Sequence, residues 1–142
     1  GVNGRLDTLQ AAILLEKIEI FNNELVLRNK VAKYYTQNIN KMFIPPLTPD
    51  KYYSSWAQYS ILLPDNVKRD ILMKKLAENN IPTMVYYRIP VHLQKGYKKY
   101  GYSESDFSIS EDISNRIISI PMHPYLKRND QDQIIDSLNS LA

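Results

Sequence analysis

GVNGRLDTLQAAILLEKI, residues 1–18, sets Asn3 and Arg5 among glycines directly ahead of a strongly helical run. No methionine stands at position 1 and no polar lead-in precedes the helix. We therefore read these positions as the start of a fragment, and expect its first residues to serve the active site of a partner molecule. Helical periodicity runs on: Leu9, Ile13, Ile20, Leu27, Val31, Tyr35 and Ile39 recur at three-, four- and seven-residue intervals and predict a helix from about Asp7 to Asn40. Near Ala11–Leu15 the apolar residues face more than one side, so burial against two surfaces is expected there. Asn22 and Asn23 compete for backbone hydrogen bonds and predict a bend. Asp7 stands where negative charge suits a helix N-terminus.

Beyond this helix, Pro45, Pro46 and Pro49 forbid a helix and make an extended connector. Residues 56–63 alternate as a strand that Pro64 ends. Asp65 or Asn66 then caps a helix to about Asn79, with Leu72, Met73 and Leu76 on its core face. IPTMVYYRIP (81–90) reads as a second strand, and HLQKGYKKYG (92–101) as a short helix stopped by Gly101. Ser108 and Glu111 have capping-box spacing for a short helix towards Asn115. RIISIP (116–121) is a third strand. Asn129 or Asp130 caps a last helix with Ile134, Leu138 and Leu141 on its apolar face. The order predicts an α/β arrangement, a small sheet covered by helices behind one long N-terminal helix.

Composition narrows the function. The 142 residues fit one domain, and 44% hydrophobic with 23% charged residues is ordinary for a globular protein. Without cysteine there are neither disulfides nor thiolate metal sites, which is compatible with a reducing cytoplasm. Two histidines, His92 and His123, argue against a protein-only zinc site, and no metal site is expected. The longest apolar stretch, Ala11–Leu15, is too short to span a bilayer, and no signal-peptide pattern is present. A net charge of +3 with scattered lysines, and no glycine-rich aromatic motif, speak against nucleic-acid binding.

Two stretches hold candidate chemistry. Asn3 and Arg5, just outside a helix start, suit an anionic oxygen, though a plain loop leading into the helix fits the same spacing. In TMVYYRIPVHLQ (83–94), Tyr86 and Tyr87 would point to opposite faces of a strand, so at most one packs in the core. The other offers a phenol to a ligand or simply to solvent. Arg88 adds a fork of donors and His92 lies past a proline-marked turn. His123 reads as a residue holding a turn, and Trp56, Gln58 and Tyr59 as core and sheet residues. Two histidines and no nucleophile turn leave no Ser-His-Asp set.

Taken in order, GVNGRLDTLQAAILLEKI, RNKVAKYY, SSWAQYSI, IPTMVYYRIPVHLQKGY and ISIPMHPYL resemble the C-terminal part of the sugar aminotransferases of the DegT/DnrJ/EryC1/StrS family. The N-x-R-x-D-x-x-Q-A-A pattern (Asn3, Arg5, Asp7, Gln10, Ala11, Ala12) and the P-x-H-x-Q element (Pro90, His92, Gln94) carry the resemblance. GRLDTLQAA and the run at Thr83, Val85 and Tyr87 resemble, within the family, enzymes that aminate a 3-keto nucleotide-linked N-acetylhexuronic acid. Tyr86 stands where those relatives tend to have histidine.

The resemblance implies the small C-terminal domain of the aspartate-aminotransferase fold. Residues 1–40 would be the connector to a large domain, and 41–142 the small α/β domain. It implies pyridoxal 5'-phosphate as cofactor, glutamate and a keto nucleotide sugar as substrates, a cytoplasmic homodimer and an active site shared across its interface. Asn3 would reach the cofactor phosphate of the other subunit. Arg5 would face the sugar nucleotide, a guanidinium fork suiting a uronate carboxylate. Tyr87, Tyr86 and His92 would line the substrate cleft. The Schiff-base lysine lies outside this chain, so the chain alone is expected to be inactive. Two other readings stay open: a dehydratase relative with histidine in place of that lysine, and a non-catalytic binding or dimerisation module of the same fold.

Overall fold

The computed structural model describes residues 4–140. Helix α1 (Thr8–Asn38) leads, followed by β1 (Tyr59–Leu62), α2 (Arg69–Glu78), 3₁₀ turns at Val91–Leu93 and Lys95–Tyr100, α3 (Ser108–Arg116), β2 (Ile117–Ile120) and α4 (Arg128–Asn139). Asp7 caps α1 as expected, its Oδ1 accepting the N–H groups of Leu9 and Gln10 at 2.9 and 3.3 Å. The predicted bend at Asn22 and Asn23 is absent, and α1 is one unbroken helix of 31 residues. Asparagine weakens a helix by up to about 0.7 kcal/mol relative to alanine. Here Lys17 donates to Glu24 at 2.8 Å across the asparagine pair and ties the two turns together.

β1 and β2 pair antiparallel, Tyr59 opposite Ile120 and Leu62 opposite Ile117. Single bridges extend this ladder on both sides, Ile44 to Leu62 and Met84 to Ser119. The second strand predicted over 81–90 is therefore reduced to one bridge at Met84. Prolines at 82 and 90 bound it, and beyond Val85 the chain turns away from Ser119. β1 also starts later than residue 56, because Trp56 sits at a φ of 48°, in the left-handed region. Asn29 holds it there, accepting the indole N–H at 2.9 Å.

Three predicted caps are displaced. α2 begins at Arg69, after a turn in which the Val67 N–H reaches the Pro64 carbonyl, and Asp65 faces Arg116 at 3.3 Å instead. α4 begins at Arg128, so Asn129 and Asp130 lie inside its first turn. Ser108 is the first residue of α3, not its cap. The core faces agree with expectation at Leu72, Leu76, Ile134 and Leu138, all buried, while Leu141 lies outside the described residues.

The core gathers the C-terminal half of α1, the ladder, α2 and α4 around Tyr35, Tyr59, Ile61, Leu63, Leu76, Ile118 and Leu138. Both phenols are fully buried and both are satisfied. Tyr35 donates to the Pro121 carbonyl at 3.0 Å, and the Tyr59 and Thr36 hydroxyls are 2.8 Å apart. Burial raises both phenol pKa values, so both rings stay neutral. Glu24, also buried, accepts from Lys17 and from the Tyr125 hydroxyl at 2.6 Å, which hold its carboxylate below the usual range.

The N-terminal half of α1 is bare. Leu9, Ile13, Leu15 and Ile18 are each more than 60% exposed. The two-surface burial expected for Ala11–Leu15 is not provided within the described chain. Expressed alone, the chain should self-associate through this face in sedimentation velocity, and a clean monomer would count against that. Tyr35→Phe strands the Pro121 carbonyl and should cost about 1–3 kcal/mol in denaturant unfolding.

Candidate functional site

An open cleft of about 670 Å³ lies between two segments distant in sequence. Tyr86–Val91, without Arg88, form one wall, and residues of 106–117, including Phe107, Ile109, Ile113 and Ile117, form the other. Its lining is mainly apolar, with phenol and serine hydroxyls and the single carboxylate of Asp106, and contains no lysine or arginine. Such a surface suits an uncharged, hydroxyl-bearing body with an apolar face.

The first wall follows from the Met84 bridge, which pins the chain to β2 just before the Tyr86–Tyr87 turn. Both rings reach the cleft, edge to face with centroids 6.1 Å apart. Outside a strand, they do not alternate between faces as the sequence predicts, and neither joins the core: Tyr86 is 40% exposed and Tyr87 72%. Arg88 points elsewhere, its Nη1 donating to Asp70 Oδ1 on α2 at 2.9 Å.

The second wall hangs on Glu111. Its carboxylate accepts the Ser105 N–H at 2.9 and 3.1 Å and lies 2.9 Å from His92 Nε2. These are not capping-box contacts to Ser108. The Ser105 N–H, then His92, hold the Glu111 pKa below the ordinary range against the opposing effect of desolvation. Asp106 adds a turn of its own, accepting the Ser103 N–H at 2.7 Å. At the far end, Arg69 Nη1 donates to the Ser114 carbonyl.

The predicted site residues are thus distributed unevenly. Tyr86 and Tyr87 come together on the cleft, whereas Arg5 is exposed ahead of α1 and is not part of it. Asn3 lies outside the described residues. His92 is 8% exposed, with its ring against Phe107 at 4.8 Å, so it stands behind the wall and not on it. His123 holds its turn through its main-chain carbonyl, which accepts the Leu126 N–H, and Gln58 is exposed, not core. Phe107, Ile109 and Ile113 were missed as lining residues. The one available signal was apolar residues on a short helix that the core does not bury.

Among the described residues no cluster of His, Asp or Glu could hold a metal ion, and no helix is long and apolar enough to cross a membrane. The model of the DegT/DnrJ/EryC1/StrS aminotransferase family matches residues 1–139. The dTDP-3-amino-3,6-dideoxy-alpha-D-galactopyranose transaminase of Aneurinibacillus thermoaerophilus is 35% identical over 141 residues, 98% of this chain and 37% of the relative. The UDP-2-acetamido-2-deoxy-3-oxo-D-glucuronate aminotransferase of Pseudomonas aeruginosa is 39% identical over 127 residues, 89% of this chain and 34% of the relative. The crystal structure of a DegT DnrJ EryC1 StrS aminotransferase from Brucella abortus superimposes with a TM-score of 0.89 at 41% identity, covering 99% of this chain and 37% of that one. The chain therefore spans little more than a third of the relatives it matches.

Because the Glu111 pKa is lowered on folding, its stabilising contribution is complete at neutral pH. It is lost only as pH falls below the ordinary glutamate value and through the depressed one. Protection of the Ser105 amide against hydrogen exchange, taken relative to its intrinsic rate at each pH, should fall across that acidic interval, and Glu111→Gln should remove this fall. An amide that exchanges alike in both proteins at every pH would refute the assignment.

Proposed function

This chain belongs to the DegT/DnrJ/EryC1/StrS aminotransferase family, and from that premise we propose that it is the C-terminal, substrate-facing part of a pyridoxal-phosphate-dependent sugar aminotransferase. In this reading the whole enzyme moves an amino group from glutamate to the ketone of a nucleotide sugar. Residues 1–40 connect to a large domain of the aspartate-aminotransferase fold, and 41–142 form the small domain. The observation that carries the reading is the cleft: two phenols on a largely apolar wall with no cation among the lining residues. That set of groups suits the hydroxyls and carbonyl of a sugar and does not suit a phosphate.

The cofactor phosphate therefore has no cradle in the cleft. The α1 N-terminus does not offer one freely either, since Asp7 already occupies the N–H groups of Leu9 and Gln10. Asn3 and Arg5, just upstream, are the donors this chain brings to an anion. The residues fit a subunit that completes a site held mainly by other parts of a homodimer. The cofactor, anchored on a lysine outside this chain, supplies the electron sink for nitrogen transfer.

The chain's own residues bind and orient. Asn3 donates to the cofactor phosphate in the other subunit. Arg5 holds an acidic group of the acceptor, such as a uronate carboxylate, with two parallel hydrogen bonds. Tyr87 donates its phenol to a sugar oxygen, and Tyr86, edge-on to it, restricts its ring. His92 acts on the cleft from behind, through Phe107 and Glu111. Reaction in the reducing cytoplasm agrees with the absence of cysteine.

The test is glutamate-dependent amination of 3-keto UDP-N-acetylhexuronate and of keto dTDP-hexoses by the full-length protein, followed by mass spectrometry. Arg5→Ala should raise KM for the uronate about tenfold or more and leave a neutral hexose nearly unaffected, as expected for a charge-assisted hydrogen bond. Asn3→Ala should weaken cofactor retention by about tenfold. Dehydration without nitrogen transfer, or no reaction from protein loaded with cofactor, would overturn the assignment.

A further inference from the structure

Only one side-chain hydrogen bond joins the two cleft walls, segments 86–94 and 103–117, among the described residues. It runs between His92, on the 3₁₀ turn closing the first wall, and Glu111, in the first half of α3, at 2.9 Å. Both side chains are largely sequestered, His92 7% and Glu111 21% exposed. Neither opens onto the cleft.

Everything else that Glu111 holds belongs to the second wall. Ser105, whose N–H it accepts, has a φ of 76°, a conformation a serine keeps only when its surroundings enforce it. Two residues on, Phe107 lines the cleft and packs between the rings of His92 at 4.8 Å and Tyr102 at 5.1 Å. One carboxylate thus fixes the backbone leading into the second wall and the end of the first wall together.

We propose that His92 and Glu111 are positioning residues, a clasp that sets the separation of the cleft walls and thereby selects the sugar without touching it. The selection of a sugar rests on the aminotransferase reading; the clasp itself does not. Removing the imidazole donor frees Glu111 from the first wall and deprives Phe107 of a ring neighbour. The walls part and the sugar binds less well. The groups that perform nitrogen transfer lie elsewhere, so turnover at saturation changes little.

The full-length, cofactor-loaded protein is compared with His92→Leu and His92→Gln. Glutamine carries an amide donor near the place of Nε2, whereas leucine keeps bulk and loses the donor. His92→Leu should raise hydrogen exchange several-fold in residues 86–94 and 103–111 while β1 and β2 stay as in the parent. It should also raise KM for the keto sugar nucleotide about tenfold with kcat nearly unchanged, and His92→Gln should recover most of both effects.

Exchange unchanged in either wall would overturn the clasp. So would loosening that extends through β1 and β2, or a loss of kcat at constant KM. If His92→Leu does not fold, Glu111→Gln takes its place under the same criteria. If the parent protein aminates no sugar, the aminotransferase reading falls, and the exchange comparison still decides the clasp.

Discussion

A ladder of four residue pairs between two short strands has little stability of its own in water. It persists because helices bury one side of it, and the buried phenols of Tyr35 and Tyr59 fix how they do so. The rings meet at 5.1 Å, the Tyr35 hydroxyl binds the chain leaving β2, and that of Tyr59 meets Thr36 on α1. The remainder of the fold follows from this junction. α4 docks on α1 through Tyr34 and Asp132, and its last turn reaches residues 38 and 40 through Asn139.

The cleft is built where regular structure stops. The ladder pins residue 84 and residues 117–120, and between those anchors the chain makes turns, a left-handed serine and one short helix. Such walls can be reshaped by substitution without disturbing the core, since few of their side chains belong to it. Under the proposed reading, a family whose members are named for different sugars is well served by that separation of packing from recognition. The relatives matched here, one named for a dTDP-linked galactose and another for a UDP-linked glucuronate, illustrate the range.

How much of this was legible from sequence depends on the range of the contacts involved. α1, the core faces of α2 and α4, and the second half of the ladder follow from local periodicity, and the structure agrees. The positions of Asn22 and Asn23 misled because a propensity of a few tenths of a kcal/mol yields to an ion pair across two turns. The segment 81–90 misled because its residue types suit a strand while its only strand partner is Ser119, at one position. Glu111 has the right spacing from Ser108 for a local cap, yet its partner is His92, and nothing in the spacing announces it. Tyr86 and Tyr87 were legible as exposed phenols, but not as neighbours on one cleft.

The unbroken α1 makes a rigid lever of the chain. Its fulcrum is the core around Val31, Ala32 and Tyr35, the Tyr125 hydroxyl still holds it at Glu24, and its free arm from Glu24 to Thr8 is about 24 Å long at 1.5 Å per residue. A tilt of about 5° where that arm begins displaces Thr8 by roughly 2 Å, more than a hydrogen bond tolerates. Repacking beneath the ladder, even by a volume-conserving change, therefore alters the reach of Arg5 at the opposite end of the molecule. On the proposed role of Arg5, the lesion would register as defective recognition in a protein whose melting temperature had hardly moved.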